Sequence, residues 1–294
     1  MNLAGYLQAQ QQAIEAALNR WVPPEDADPQ SVHRAMRYSL FAGGKRIRPI
    51  LCIAAARAVT EETGGIEDAA CSLELIHTYS LIHDDLPALD NDDLRRGRPT
   101  CHKLFGEAMA ILAGDALLTL AFELLSKLAG VPAERRILLV RELASASGTI
   151  NGMIGGQVHD IEGEGKQPTP ELLESIHSAK TGALLCASVR MGALFAGAGS
   201  QELAALSAYG KHVGLAFQIV DDILDVEQPT EALGKTAGKD AQQQKITFPA
   251  VYGLEDSRRM AEEQRLRAYS SLETFGSRAD RLRQIADLII SRKA

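Results

Sequence analysis

Apolar residues recur every three or four positions along almost the whole chain, and they rarely alternate one by one. That spacing is the helical period, not the strand period. It predicts helices over roughly 2–20, 30–42, 48–62, 66–86, 105–128, 133–160, 170–196, 200–227, 247–270 and 277–291. The segments between them carry helix-ending chemistry: "VPPEDADP", "AGGKRIRP", "TGG", "EGEGKQPTP" and "GAGS". Two of the predicted helices, in "ASASGTINGMIGGQ" and "SAKTGALLCASVRMGALFAGAG", are rich in small residues. Small residues let helices approach closely. No linker separates two composition regimes. The expectation is one all-α domain over 1–294, a large helical bundle.

Composition narrows this picture. The chain has 294 residues, 46% of them apolar, so it can fill a sizeable core and is not expected to be disordered. Its net charge of -7 gives no dominant basic field, so no nucleic-acid partner is expected. The four cysteines, Cys52, Cys71, Cys101 and Cys186, form no C-x-x-C pair. They read as buried thiols of a reducing compartment. The N-terminal segment lacks the basic start and apolar run of a signal peptide. No apolar stretch is expected to reach the length of a membrane span, and the expected location is the cytoplasm.

Candidate chemistry lies in two acidic clusters. "SLIHDDLPALDNDDLRRGRPTCH" carries Asp84, Asp85, Asp90, Asp92 and Asp93, then Arg95, Arg96 and Arg98. "FQIVDDILDV" carries Gln218, Asp221, Asp222 and Asp225 within about a 100° arc of one helix. Carboxylates one turn apart repel, and aliphatic neighbours add a desolvation cost. A solvated helix face would explain one such cluster; it explains two poorly. Oxygen donors without Cys or His partners favour a hard cation, Mg2+ first. In a straight helix Asp84 and Asp90 point about 120° apart, but Pro87 between them permits a bend.

If Mg2+ brings phosphates, cations should lie near. "FAGGKRIRP" offers Lys45, Arg46 and Arg48; Lys180 lies in an apolar helix with little polar company; Lys235, Lys239 and Lys245 follow the second cluster. His77 lies two turns before Asp84, about 20° off the same line. From the residues alone it either faces the same cleft or is a core histidine.

In combination and in order, "GGKRIRP", "LIHDDLPALDNDDLRRG", "KTG", "FQIVDDILD" and "GKTAGKD" resemble the short-chain trans-prenyl diphosphate synthase family, most of all its bacterial farnesyl diphosphate synthases. The resemblance spans essentially the full length. It implies an all-α isoprenoid synthase fold with a deep central cavity, usually a homodimer. It implies Mg2+ on Asp84, Asp90 and Asp221, as many as roughly three ions bridging an allylic diphosphate. It carries Asp85 and Asp222 into the catalytic set beside those three, with Arg95, Lys180 and Lys235. Arg95, Lys180, Thr181, Gln218, Lys235 and Lys245 would bind the allylic diphosphate. Lys45, Arg48, His77 and Arg96 would bind isopentenyl diphosphate. Tyr79 and Ser80, about one turn before Asp84, would set product length, with bulky Tyr79 as a floor that favours farnesyl diphosphate. Geranyl and geranylgeranyl products are the alternatives inside the family. A metal phosphohydrolase built on His83–Asp84, or a non-catalytic synthase-like subunit, are the alternatives outside it.

Overall fold

The structure, a computed structural model, describes residues 2–227 and 245–291. It is all-α apart from one small hairpin. The helices are α1 (Leu3–Trp21), α2 (Gln30–Leu40), α3 (Ile47–Val59), α4 (Ile66–Asp84), α5 (Cys101–Phe105), α6 (Glu107–Ser126) and α7 (Ala133–Ser147). They continue with α8 (Met153–Gly163), α9 (Pro170–His177), a π-helical turn over Ser178–Gly182, α10 (Ala183–Ala196) and α11 (Ser200–Glu227). After the second acidic cluster come α12 (Phe248–Tyr252), α13 (Leu254–Ser271), a 3-10 segment over Glu273–Ala279 and α14 (Asp280–Ser291).

The chain groups into two compact units. One holds residues 1–50 and 64–140; the other holds 51–63 and 141–294. The first unit is organised by α4, which packs on α1, α2 and α6. Ile66, Leu73, Leu75 and Ile76 of α4 are fully buried, and burial runs round most of its circumference. That all-round burial marks a core helix. Glu67 and Asp68 in its first turn suit the positive end of the helix dipole.

The second unit is built around α11, which packs on α10, α13 and α14. Tyr209 of α11 is fully buried, and its hydroxyl donates to the Leu282 carbonyl of α14 at 2.6 Å. The small residues act as the pattern predicts. A β-carbon at Gly192 of α10 would stand 2.0 Å from the Cys52 carbonyl oxygen of α3, so the two backbones touch there. Gly210 of α11 meets the Cys186 backbone of α10 in the same way.

Four departures from expectation have local causes. The segment 133–160 is two helices, because the chain leaves the helix after Ser147 and re-enters at Met153, with Asn151 at positive φ. The segment 247–270 breaks at Gly253, φ 78°. Leu94–Arg95 and Arg98–Pro99 pair as an antiparallel hairpin, Leu94 opposite Pro99. Its two central residues, Arg96 and Gly97, both have positive φ, 54° and 72°, which is the type I′ turn of a two-residue loop. Finally, α6 is long and apolar enough to cross a membrane by length and composition, contrary to expectation. Part of its apolar content serves the core: Ala113, Leu117, Ala121 and Leu124 are fully buried in the first unit, while Ile111 and Leu112 are exposed.

Candidate active site

The first unit ends α4 on its carboxylates. Asp84 is the last helical residue, and Asp85 is the C-cap. A helix end leaves carbonyls without partners. Here the acidic loop supplies them: Asp90 N–H donates to the Asp84 carbonyl at 2.8 Å, and Asp92 N–H to the Asp85 carbonyl at 3.2 Å. Pro87 thus lies in a turn that brings Asp90 back under Asp84, as the spacing permitted.

The two paired aspartates differ. Asp84 is half-buried, whereas Asp85 is 3% exposed. Arg95 Nε reaches both Asp85 oxygens, at 2.7 and 3.0 Å, and Arg95 also lies 3.7 Å from Asp92. Arg95 is therefore oriented by Asp85 through a bidentate fork. The hairpin turns Arg96 the other way. A β-carbon at Gly44 would stand 2.6 Å from Arg96 Nη1, so the guanidinium packs closely against this glycine, which adopts φ 135°.

The loop bearing Gly44 is held from two sides. Gln11 Nε2 donates to the Gly44 carbonyl at 3.0 Å. Arg46, 2% exposed, donates from Nη1 to Glu74 of α4 at 2.7 Å and from Nη2 to the Leu40 carbonyl at 2.7 Å. Exposed Lys45 precedes this anchor, and half-buried Arg48 follows it in the first turn of α3. Burial, together with the charges of Arg48, Arg96, Arg95 and Arg46, holds His77 well below the usual histidine range. The predicted Arg48, His77 and Arg96 thus share one electropositive environment, suited to an anion.

One turn before Asp84, Tyr79 is 5% exposed, and its hydroxyl has no hydrogen-bond partner. Burial and Asp84 push it up to about 12. Its ring meets the His83 ring edge-on at 5.7 Å. Ser80 bonds back to the His77 carbonyl at 2.9 Å. His83 turns towards α6: its Nε2 lies 3.1 Å from the Ile111 carbonyl, and Gly114 provides the space it fills.

The second unit repeats the division between paired aspartates. On α11 Asp221 is half-buried and Asp222 is 3% exposed. Asp222 accepts from Gln218 Nε2 at 2.7 Å and from Phe248 N–H, the first of α12, at 2.9 Å. Its carboxylate lies 3.5 Å from His177 Nε2, which also contacts the Ile246 carbonyl at 3.2 Å. Beneath it Ile219, Ile223, Ile246 and Phe248 form part of one apolar cluster. The first aspartate pair closes α4, where the dipole already carries partial negative charge, and the second lies within α11.

Lys180 and Thr181 sit on the π-helical turn between α9 and α10. Such turns often mark functional positions. A β-carbon at Gly156 of α8 would stand 2.1 Å from Lys180 N, and Gly214 of α11 packs against Gly182. The turn is thus gripped between two glycine contacts. Lys180 does not lack polar company, as its sequence context suggested. Its Nζ donates to Asp160 of α8 at 2.5 Å, and Lys245 Nζ lies 3.9 Å from the same carboxylate. Asp160 escaped the sequence reading because it stands outside both acidic clusters, as the lone Asp of "GGQVHDIEG". Its only sequence signal was an acid beside a Gly-Gly pair. Lys235 and Lys239 lie outside the described residues.

Among the described residues no three His, Cys, Asp or Glu side chains converge as a closed metal cage. Within each unit the donors still suit a hard cation. Asp84 and Asp90 offer oxygen at the end of α4 and Asp221 offers it on α11, and Mg2+ takes one or two protein carboxylates, completing its shell with phosphate and water.

Burial pushes the His177 imidazole down to about 4, against an upward pull from Asp160. An unfolded histidine titrates near about 6.5. The unfolded chain therefore binds the extra proton first. Stability falls as pH drops from about 6.5 to about 4, by about 2 kcal/mol at pH 5, and this contribution is constant below that window. Urea midpoints across this range check it: His177→Phe should show a shallower loss than the parent. Equal slopes would remove His177 as the cause.

The polyprenyl synthetase family profile matches residues 29–289. The chain is 50% identical over 277 residues to geranylgeranyl pyrophosphate synthase 12 of Arabidopsis thaliana, covering 92% of this chain and 76% of that one. It is 49% identical over 256 residues to the farnesyl diphosphate synthase of Geobacillus stearothermophilus, covering 86% of each. A crystal structure of an FPP/GFPP synthase from Zymomonas mobilis superposes with a TM-score of 0.87 at 37% identity, covering 99% of both chains. With a profile match over most of its length and half its residues shared with such relatives, the chain belongs to the polyprenyl synthetase family.

Proposed function

We propose that this protein is a prenyltransferase that joins isopentenyl diphosphate head-to-tail to dimethylallyl and geranyl diphosphates, with farnesyl diphosphate as its main product. The observation that carries the reading is a shared construction in the two units. Each places an aspartate pair on a packed helix, fixes the second aspartate by hydrogen bonds, and sets basic groups on neighbouring elements. The family profile over 29–289 supports reading 1–294 as one synthase domain.

In this reading Asp84, Asp90 and Asp221 hold Mg2+, while Asp85 and Asp222 position their surroundings. Bound Mg2+ supplies Lewis-acid stabilisation of the diphosphate leaving group. Arg95, Lys180, Thr181, Gln218 and Lys245 bind the allylic diphosphate and steady the charge that develops as its C–O bond breaks. Lys45, Arg48, His77 and Arg96 hold isopentenyl diphosphate so that its double bond attacks the freed allylic carbon. Proton loss then gives the longer allylic diphosphate, and released pyrophosphate is the base. Apolar walls keep out water, which would trap the cation as an alcohol.

A cytoplasmic homodimer completes the proposal. The four free thiols suit a reducing compartment. The exposed row Ile154, Val158 and Ile161 on α8 gives a second copy an apolar surface to cover.

Product analysis with labelled isopentenyl diphosphate and three allylic primers tests the function. Chain elongation should vanish in chelator and return with Mg2+; release of inorganic phosphate without elongation would overturn the reading. Product length turns on Tyr79. Its buried hydroxyl has no partner to lose, so Tyr79→Ala should open space without disturbing a polar network, and shift the product to geranylgeranyl diphosphate or longer. An unchanged product spectrum would assign chain length to another residue.

A further inference from the structure

Outside the candidate site, the first unit has an open cleft of about 410 Å³, within the size range of small-molecule sites. Arg34 and Arg37 of α2 and Arg98 of β2 line it, together with Tyr38, Phe41 and Phe105. Glu25 is the single carboxylate of the lining.

These three arginines share one pattern of partners. Elsewhere on the surface Arg20, Arg258, Arg259, Arg265 and Arg283 each take a carboxylate, whereas Arg136 and Arg278 donate to backbone carbonyls. Around the cleft the partners are neutral. Arg34 Nη2 donates to Gln30 Oε1 at 3.2 Å, and Arg37 Nη1 to the Val22 carbonyl at 3.2 Å, with Arg37 Nη2 on Asn19. Arg98 lies over the Tyr38 ring at 4.4 Å, and Arg37 over Phe41 at 4.8 Å. The rings orient the guanidinium planes and leave N–H edges for a ligand. A chain with seven more acidic than basic residues has thus gathered three arginines, opposed by one carboxylate, around one cleft.

We propose that this cleft is a second anion site, which takes the diphosphate group of a product of the reaction proposed above. Planar forks of this kind match phosphate oxygens. The cleft also touches the catalytic hairpin. Tyr38 Oη donates to the Pro99 carbonyl at 2.7 Å, and Arg98 pairs across the hairpin with Arg95, which holds Asp85. A ligand drawn to Arg98 therefore bears on the same two-strand unit that aims Arg95 and Arg96. Occupancy has a direct mechanical route to the substrate-binding arginines.

The identity of the ligand rests on the proposed reaction; the anion site itself does not. The one tryptophan of the chain, Trp21, ends α1 immediately before Val22, whose carbonyl receives Arg37. Its fluorescence reports on this corner. The full chain should be titrated with inorganic pyrophosphate in chelator, where no turnover occurs. We expect a saturable Trp21 response that weakens at least about tenfold in Arg34→Gln and in Arg98→Gln. Both positions are exposed, so circular dichroism should stay unchanged. Lys45→Gln should leave the response in place, which separates the cleft from the substrate site. No saturable response in the parent, or an equal one in both arginine variants, would overturn the proposal even if the enzyme elongates normally. A farnesyl thiolodiphosphate arm decides the source. Binding no tighter than pyrophosphate assigns the cleft to the inorganic product, and tighter binding assigns it to the prenyl product; both support the site.

Discussion

Asp84→Ala and Asp221→Ala should each lower turnover at least about a thousandfold while the helical fold survives. A thousandfold corresponds to about 4 kcal/mol of lost transition-state stabilisation, the scale expected when a metal ligand beside a leaving group is removed. The two members of each pair differ structurally. Asp85 and Asp222 are buried and hold Arg95 and the start of α12, so their removal would loosen the protein. Asp84 and Asp221 are the half-buried members of their pairs, each beside a like charge, and Asp84 also closes α4, where negative charge is already disfavoured. Losing one of them relieves repulsion, so the metal-free variants should unfold at the same denaturant concentration as the parent or higher. Turnover with saturating Mg2+ and urea midpoints without it are the two measurements. Near-parent turnover in either variant would remove that aspartate from the metal site. Lost turnover with a collapsed midpoint would mean that the residue is structural.

Much of this was legible in the sequence because repulsive chemistry is conspicuous. Two groups of carboxylates amid aliphatic residues cost stability unless something offsets them, and that imbalance shows in one dimension. Helical period likewise exposed α4 and α11, where the buried stripe is long. What stayed hidden was long-range pairing. Lys180 and Asp160 are twenty residues apart and carry no shared local pattern; their 2.5 Å contact exists because Gly156 lets α8 reach the backbone of the π-helical turn. The hairpin at Arg96–Gly97 was missed because two-residue strands have no periodicity to detect. The opposite roles within each aspartate pair were invisible for a similar reason. Adjacent identical residues differ only in what tertiary structure sets beside them. The α6 helix shows the limit of composition: the same apolar run fits a membrane span or a core helix, and only packing separates them.

Glu74→Ala should cost about 3–5 kcal/mol, the usual penalty for stranding one partner of a buried ion pair. Glu74 is 3% exposed and Arg46 2%, and their contact is 2.7 Å. Glu15 lies 3.8 Å from Arg46, farther than Glu74, and its side chain is 41% exposed, so it replaces the lost charge only in part. Arg46 also adopts φ 50°, a left-handed conformation that a non-glycine residue keeps only when its surroundings hold it there. Losing Glu74 therefore frees the loop as well as unpairing the charge. Lys45 precedes Arg46 and Arg48 follows it, and Gly44 supports Arg96, so the damage should reach isopentenyl diphosphate binding. We expect its KM to rise more than that of the allylic substrate. Glu74→Gln keeps an acceptor for the guanidinium and should lose less. The double variant Arg46→Met with Glu74→Leu removes both charges and should be more stable than Glu74→Ala alone, because no charge is left stranded. It should still bind isopentenyl diphosphate poorly, since nothing then holds the loop. Denaturant midpoints and the two KM values check this. A Glu74→Ala variant that loses less than about 1 kcal/mol, with both KM values unchanged, would show that the loop is held by other contacts.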